Sequence, residues 1–357
     1  MDGKKIGLLT FHRTTNFGSC LQAYGLYKKI VNLGYNCQII DYRCPAIEKR
    51  ERLISKVAVH NFRDVYIKFF VQPYYDKKAK ALEAFTYANM KISEPVFPEN
   101  TYKLDNEYDK FLVGSDIVWG RDITGDDYTY FLDFVDDKKK KYAFSSSVGN
   151  CVLRENEALL EQLLRGFYQI AVREEEAVDW VKKISKVDAK LVCDPTMLLT
   201  KMEWENSIQT KEILKNYVFV YFDSDDGKCL NDAKVYARKN NLKVAIVNYG
   251  KPFFDVKNVK PTSLEEFLSY VKYAAMVFTA SYHGMLFSLY YNKEFLFYTR
   301  AHKSRVLSLA RRLGVLDHCG DLWDGTIYNR FNYENINEKI ELFREYSIEV
   351  LEKMLKE

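Results

Sequence analysis

The sequence predicts an α/β protein built from two Rossmann-like domains that face each other across a cleft. Three observations carry that expectation. Short apolar runs of strand length alternate with amphipathic stretches of helix length along most of the chain. The alternation comes in two series, with a break near 200–212. The 357 residues are also more than one hydrophobic core usually holds.

The first series opens with KIGLLTF (5–11), an apolar run suited to a buried parallel strand. A polar loop, HRTTNFGS, leads into a helix over about 19–33, where Leu21, Tyr24, Leu26, Ile30 and Leu33 recur near the 3.6-residue period. Gly34 stops that helix, and CQIIDY (37–42) completes a β-α-β unit. Residues 48–80 break the rhythm. They hold nine basic residues against four acidic, net +5, mixed with Ile54, Val57, Val59, Phe62, Val65, Ile67, Phe69 and Phe70. The segment reads as an inserted helical region, either covering the sheet or touching a membrane surface through Lys49, Arg50, Arg52 and Lys56. Strands resume at KFLVGSD (110–116) and KKYAFSSSVG (140–149). A helix over about 154–167 follows, then a strand that feeds a helix through Arg173 within 168–183, and LVCDPTMLL (191–199) closes the series.

The second series starts at NYVFVYF (216–222) and continues through a helix near 227–240 and the strand KVAIVNY (243–249). Ser263 and Glu266 form a capping-box pattern for a helix over 264–273. AMVFTA (275–280) is a strand, a helix begins after Gly284, and EFLFYT (294–299) is the next strand. KSRVLSLARRLG (303–314) is a helix ended by Gly314, and a charged helical tail runs from about 333. The expected domains are 1–205, carrying the 48–80 insertion, and 206–330, with 331–357 as a helical tail.

Composition narrows the function. Apolar residues at 47% and charged residues at 29% exclude a disordered or collagen-like chain. A formal charge of +4 gives no reason to expect a nucleic-acid partner. The aromatic share of 15%, with 27 Tyr and 23 Phe, fits an aromatic-rich core better than a row of sugar-stacking rings. Seven scattered cysteines, none spaced C-x-x-C, indicate neither a disulfide framework nor a zinc site. With no apolar leader ahead of the first strand, this points to a reducing cytoplasm. The uncharged run 273–291 has the length of a membrane span, but Ser281, His283 and Gly284 at its centre make strand, turn and buried helix the better reading.

Ligands of open α/β sheets sit beyond the carboxyl ends of the strands, so the loops leaving each strand are the places to look. In HRTTNFGS, Gly18 and Ser19 at a helix start are expected to point free N–H groups at an anion, beside the Asn16 amide, and an ordinary N-cap explains the same residues. In VGSDIVW (113–119), Ser115 and Asp116 stand on the rim, where Asp116 could orient a hydroxyl, act as a base or cap a turn. In AVREEEAV (171–178), Arg173 ends a strand and could clamp a carboxylate or phosphate, or pair with its own glutamates. In FTASYHGMLFS (278–288), His283 lies between a buried strand and an apolar helix, beside Ser281 and Gly284, set to act at the rim or to sit as a satisfied core histidine. G-x-G-x-x-G is absent, which argues against NAD, and G-x-S-x-G is absent, which argues against an α/β-hydrolase.

Taken in order, IGLLTFHRTTNFGSCLQAYGL, DYRCP, FLVGSDIVW, YFLDFVDDKKKKYAFSSSVG, AVREEE, CDPTMLL, FTASYHGMLFSLYYNKEF and SRVLSLARRLGV resemble the polysaccharide pyruvyl transferase family, in the subset whose histidine motif reads like TDSFHG. The resemblance runs from residue 6 to about 315. It implies a GT-B-like architecture and transfer of the pyruvyl group of phosphoenolpyruvate to two hydroxyls of a sugar, giving a ketal and phosphate. It further implies that Arg173 binds the donor, that His283 is the acid/base, and that Ser281 and Gly284 sit at the donor. Ala280 stands where the motif has an acid, and Ser281 where the DRLHG form has an arginine; Arg305 is the candidate replacement cation. GSDQVW becomes GSDIVW. No cofactor or metal is expected, and the acceptor is a saccharide or a lipid-linked saccharide, with a peripheral membrane contact through 48–80. Two other functions fit the same fold: a nucleotide-sugar glycosyltransferase, and a carbohydrate-binding homologue without turnover.

Overall fold

A computed structural model describes residues 4–55, 62–149, 157–300, 303–325 and 330–357. The chain divides into two compact units. The first comprises residues 1–53, 83–199 and 341–357; the second comprises 54–82 and 200–340.

The first unit holds a seven-stranded sheet: β1 (Lys5–Leu9), β2 (Asn36–Tyr42), β3 (Ile92–Val96), β4 (Lys110–Val113), β5 (Lys141–Ser146), β6 (Gln169–Val172) and β7 (Lys190–Leu191). Its order is β3-β2-β1-β4-β5-β6-β7, and every neighbouring pair is parallel. Strand order reverses between β1 and β4, which opens a crevice at their carboxyl ends. The second unit repeats the plan with β8 (Tyr217–Tyr221), β9 (Lys243–Val247), β10 (Lys257–Val259), β11 (Met276–Thr279) and β12 (Phe295–Phe297), in the parallel order β10-β9-β8-β11-β12. Its reversal lies between β8 and β11. Central strands β4, β5, β8 and β11 are buried at every residue, as parallel strands covered on both faces must be. Tyr130, Tyr142, Tyr217, Tyr298 and Trp204 are among the largest fully buried side chains, so much of the aromatic excess is core.

Most expected elements are present within a few residues of their expected limits. The helix expected over 154–167 runs Glu157–Arg165, and 154–156 lie outside the described residues. The capping box at Ser263 is half formed: Ser263 accepts from Glu266 N, but the Glu266 carboxylate reaches Thr262 instead. The run 273–291 is β11, a turn and the helix Tyr282–Tyr290, and no described helix is long and apolar enough to cross a membrane.

The units are partitioned differently from the expected 1–205, 206–330 and 331–357, because packing ignores chain order. The helices Phe62–Tyr66 and Gln72–Asn89, joined by the π-turn Ile67–Val71, lay their first part on the second unit. There Tyr75 packs on Tyr249 with ring centroids 4.9 Å apart, and Lys260 Nζ sits 4.1 Å above the Tyr74 ring. The end of helix Tyr333–Lys356 returns to the first unit, where Ser347 Oγ accepts from Cys193 N and Lys110 Nζ donates to the carbonyls of Met354 and Leu355. Within 48–80, Lys49 and Arg50 are exposed in the first unit, while Val65, Phe69 and Phe70 are exposed in the second. Lys56, Val57 and Val59 lie outside the described residues, as do the side chains of Arg52, Ile54 and Phe62.

Candidate functional site

At the carboxyl edge of the first sheet, loops from six strands build one hydrogen-bonded ledge. His12 follows β1; its Nε2 lies 3.0 Å from Asp41 Oδ1, at the end of β2, and its Nδ1 lies 3.1 Å from the Thr10 carbonyl. Both ring nitrogens therefore face acceptors, and the ring can donate from each when protonated. Arg43 Nη2 donates to the other Asp41 oxygen at 2.6 Å. Burial pushes the Asp41 carboxyl up, but the hydrogen bonds and charges of His12 and Arg43 outweigh it and hold the group below its usual range.

The turn after β4 carries Ser115 and Asp116. Gly114 there has φ +135°, and an added Cβ would run into the Phe144 carbonyl, so only glycine fits. Asp116 itself is left-handed, with φ +70°, an unusual conformation for a residue other than glycine and one that collects at functional sites. Its Oδ2 accepts a hydrogen bond from Ser19 Oγ, and its Oδ1 accepts from Ile117 N at 3.0 Å. Gln22, fully buried, bridges Thr10, Phe11 and Ser19 and receives Ser115 N at 3.2 Å.

Arg173 ends β6 with its side chain wholly enclosed. Nη1 donates to Asp194 Oδ2 at 2.7 Å and Nη2 to Asp116 Oδ1 at 3.4 Å, and Nε lies 3.7 Å from Glu174 Oε2. Glu174 in turn accepts from Ser147 Oγ and Val148 N. The expected free grip on an anionic donor is thus not what the fold presents here. Three buried carboxylates already surround the guanidinium, and Asp116 is held between it and Ser19. At the start of helix Phe17–Asn32 the fold builds the ordinary N-cap, one of the two readings the sequence left open. Asn16 is its N-cap, and its Oδ1 accepts from Gly18 N at 2.8 Å and Ser19 N at 3.4 Å, so those N–H groups serve the cap.

The second unit's edge is built from smaller parts. Thr279 ends β11 and donates from Oγ1 to the Tyr221 carbonyl at 2.6 Å, while receiving Ser281 N at 3.1 Å. Ser281 caps the helix Tyr282–Tyr290 by accepting from Gly284 N at 3.3 Å. Gly284 is fixed by packing, since a Cβ would overlap Thr279 Oγ1 and press on the Tyr221 ring. His283, in the first turn of that helix, is 7% exposed and meets the Tyr282 ring edge-on at 5.4 Å between centroids. Arg305 lies on the same aromatic ring, its Cζ 5.9 Å from the Tyr282 centroid. The structure thus brings His283, Ser281, Gly284 and Arg305 into one neighbourhood.

Sequence reasoning missed Arg300, just beyond β12 on this same edge. It is exposed, pairs with the exposed Asp225 at 3.0 Å and lies over the Phe222 ring at 5.7 Å. The signal was available, because FLFYTR repeats the strand-then-arginine pattern that singled out Arg173. His12 and Asp194 were missed for another reason: their partners come from other strands.

A sequence-family description, Polysaccharide pyruvyl transferase, matches residues 16–302. That span includes Arg173, His283 and Arg300 and stops short of Arg305. No curated protein sequence matches. Among solved structures, the UDP-GlcNAc 2-epimerase of Neisseria meningitidis bound to UDP-GlcNAc is 8% identical, with 99% of each chain covered and a TM-score of 0.52. A putative UDP-N-acetylglucosamine 2-epimerase from Listeria monocytogenes is 10% identical, covering 98% of this chain and 90% of the other, with a TM-score of 0.51. Arabidopsis thaliana UGT89C1 complexed with UDP is 10% identical over 99% of both chains, with a TM-score of 0.51. At such identities the likeness speaks for fold alone: two Rossmann-like domains of the GT-B class.

Proposed function

Since the chain belongs to the polysaccharide pyruvyl transferase family, we propose that it moves the pyruvyl group of phosphoenolpyruvate onto two hydroxyls of a saccharide. The observation that carries the reading is the placement of His283 in the first turn of a helix that leaves the carboxyl end of β11, beside the strand-order reversal. Phosphoenolpyruvate bears a carboxylate and a phosphate, so the positive end of that helix and the Arg305 and Arg300 guanidinium groups are natural partners for it.

His283 is assigned the proton donor. Proton transfer to the methylene carbon leaves an oxocarbenium-like centre at the adjacent carbon, which one sugar hydroxyl attacks. The second hydroxyl then displaces phosphate, closing the ketal; one proton enters at carbon and two leave the hydroxyls. An imidazolium is a competent donor near neutral pH. Within the first unit, Arg173 is the positioning residue that holds the Asp116 carboxylate. Exposed Phe69 and Phe70, with the exposed Lys68 between the two helices, are the residues through which a lipid-linked acceptor's membrane would be met.

The test is phosphate release from phosphoenolpyruvate across a panel of saccharides. Release should depend on acceptor, and His283→Asn should lower turnover by roughly two to four orders of magnitude while donor affinity changes far less. Consumption of nucleotide sugars with no phosphoenolpyruvate turnover would replace this reading with glycosyl transfer. Saccharide binding without any turnover would replace it with a non-catalytic role.

A further inference from the structure

The amino edge of the second sheet carries a groove of about 600 Å³, on the opposite side of that sheet from His283. Lys243 begins β9 and Lys257, in register with Ala245, begins β10, so both lysines line the groove from neighbouring parallel strands. Lys234 and Arg238, one turn apart on the helix Lys228–Lys239, supply the other rim, and Phe254 stands beside them. Lys234 is bonded to Asp255 at 2.8 Å. Among the described residues, Arg238, Lys243 and Lys257 lie within ion-pair distance of no carboxylate. Four cations against one carboxylate, Asp255, which both Lys234 and Arg238 act on, leave the concavity with a net positive charge that attracts anions. Phe254 is 92% exposed, a large apolar face left in water at the mouth of that groove.

We propose that this groove is a secondary binding site for an acidic oligosaccharide. Carboxylates spaced along a glycan would meet Lys243 and Lys257, and a pyranose face would lie on the Phe254 ring. A concave, lysine-rimmed groove with one aromatic platform suits a thin charged chain better than a flat bilayer or a duplex. The identity of the natural glycan rests on the function proposed above, since a ketal-bearing product is itself a string of carboxylates; the site would then retain polymer already modified. Binding at the groove is independent of turnover, and so is its test.

Oligogalacturonate is the probe, titrated calorimetrically into the full chain at low salt, with neutral dextran oligosaccharide as the control. The expected result is saturable, salt-sensitive binding of the acidic probe alone. Lys243→Gln and Lys257→Gln should each weaken it roughly tenfold, the worth of one charge-assisted contact. Phe254→Ala should weaken it as well, and none of the three should alter phosphate release with a short neutral acceptor. The proposal is overturned if oligogalacturonate fails to bind, if the lysine variants bind it equally well, or if Phe254→Ala leaves the affinity intact. It is equally overturned if uridine diphosphate occupies the groove and oligogalacturonate does not. Loss of phosphoenolpyruvate turnover in the unaltered protein, with probe binding retained, would fall on the proposed activity and leave the groove standing.

Discussion

The two sheets end in edges of opposite character. In the first unit, charged side chains are largely buried and ion-paired with one another: Arg173 among Asp194, Asp116 and Glu174, and His12 with Asp41 and Arg43. In the second, the edge is made of Thr279, Ser281 and Gly284 packed closely, with His283 and two arginines resting on aromatic rings. The difference teaches that an arginine at a strand's carboxyl end is not by itself an anion grip. Where three carboxylates converge on it, as at Arg173, its charge is already matched within the fold; Arg300, by contrast, lies on a ring and pairs with an exposed aspartate.

The largest effect that separates the edges is on stability. Arg173→Ala leaves three buried carboxylates without their cation, and breaking such a cluster costs about 3–5 kcal/mol. Urea unfolding should show it as a lower midpoint with unchanged slope. A variant that stays within about 1 kcal/mol of the parent but binds phosphoenolpyruvate poorly would return Arg173 to the donor. The second edge should respond to volume instead. Gly284→Ala is expected to destabilise by about 1–3 kcal/mol through overpacking against Thr279, and adding Thr279→Ala should recover part of the loss. Additive losses would mean that the two positions do not press on each other.

Acidity offers a third contrast. The Asp41 carboxyl titrates lower folded than unfolded, so its contribution is fully present above the unfolded value near 3.9 and is lost as pH falls through the folded value. Unfolding measured across acidic pH should therefore lose stability below about pH 4, and His12→Gln should flatten that loss. An unchanged pH profile in the variant would remove His12 as a partner. The smallest expected effect is at Asn16, where Asn16→Ala should cost about 1 kcal/mol through the lost helix cap. No change there would return the Gly18 and Ser19 amides to an anion-binding role.

Local patterns were enough for most strands, because a parallel strand buried on both faces is a continuous apolar run, as in FLV of β4 or VFVY of β8. They were not enough for β3, which contains Pro95 and sits at an edge, or for β10, three residues with Lys257 and Asn258. The loops leaving the strands were also legible as places, since position beyond a strand end follows from alternation alone. Partners were not. Asp116 and Asp194 reach Arg173 from 57 and 21 residues away, and Asp41 reaches His12 from 29. Such pairings depend on which strands neighbour each other. Asn16 was seen as an amide near a ligand, yet its reach to Gly18 and Ser19 is a purely local cap. There the anion-binding and N-cap readings stood side by side in the sequence, and the local hydrogen bonds decide for the cap.

Phosphoenolpyruvate labelled isotopically at its central carbon, incubated with the protein and a panel of saccharides and followed by carbon NMR, bears most directly on the account. The label should appear as a ketal carbon on the acceptor, with phosphate released in equal amount. His283→Asn should form that signal orders of magnitude more slowly, while Arg305→Gln should need more donor to reach the same rate. Label that stays in phosphoenolpyruvate with every acceptor, or moves as fast in His283→Asn as in the parent, would contradict it.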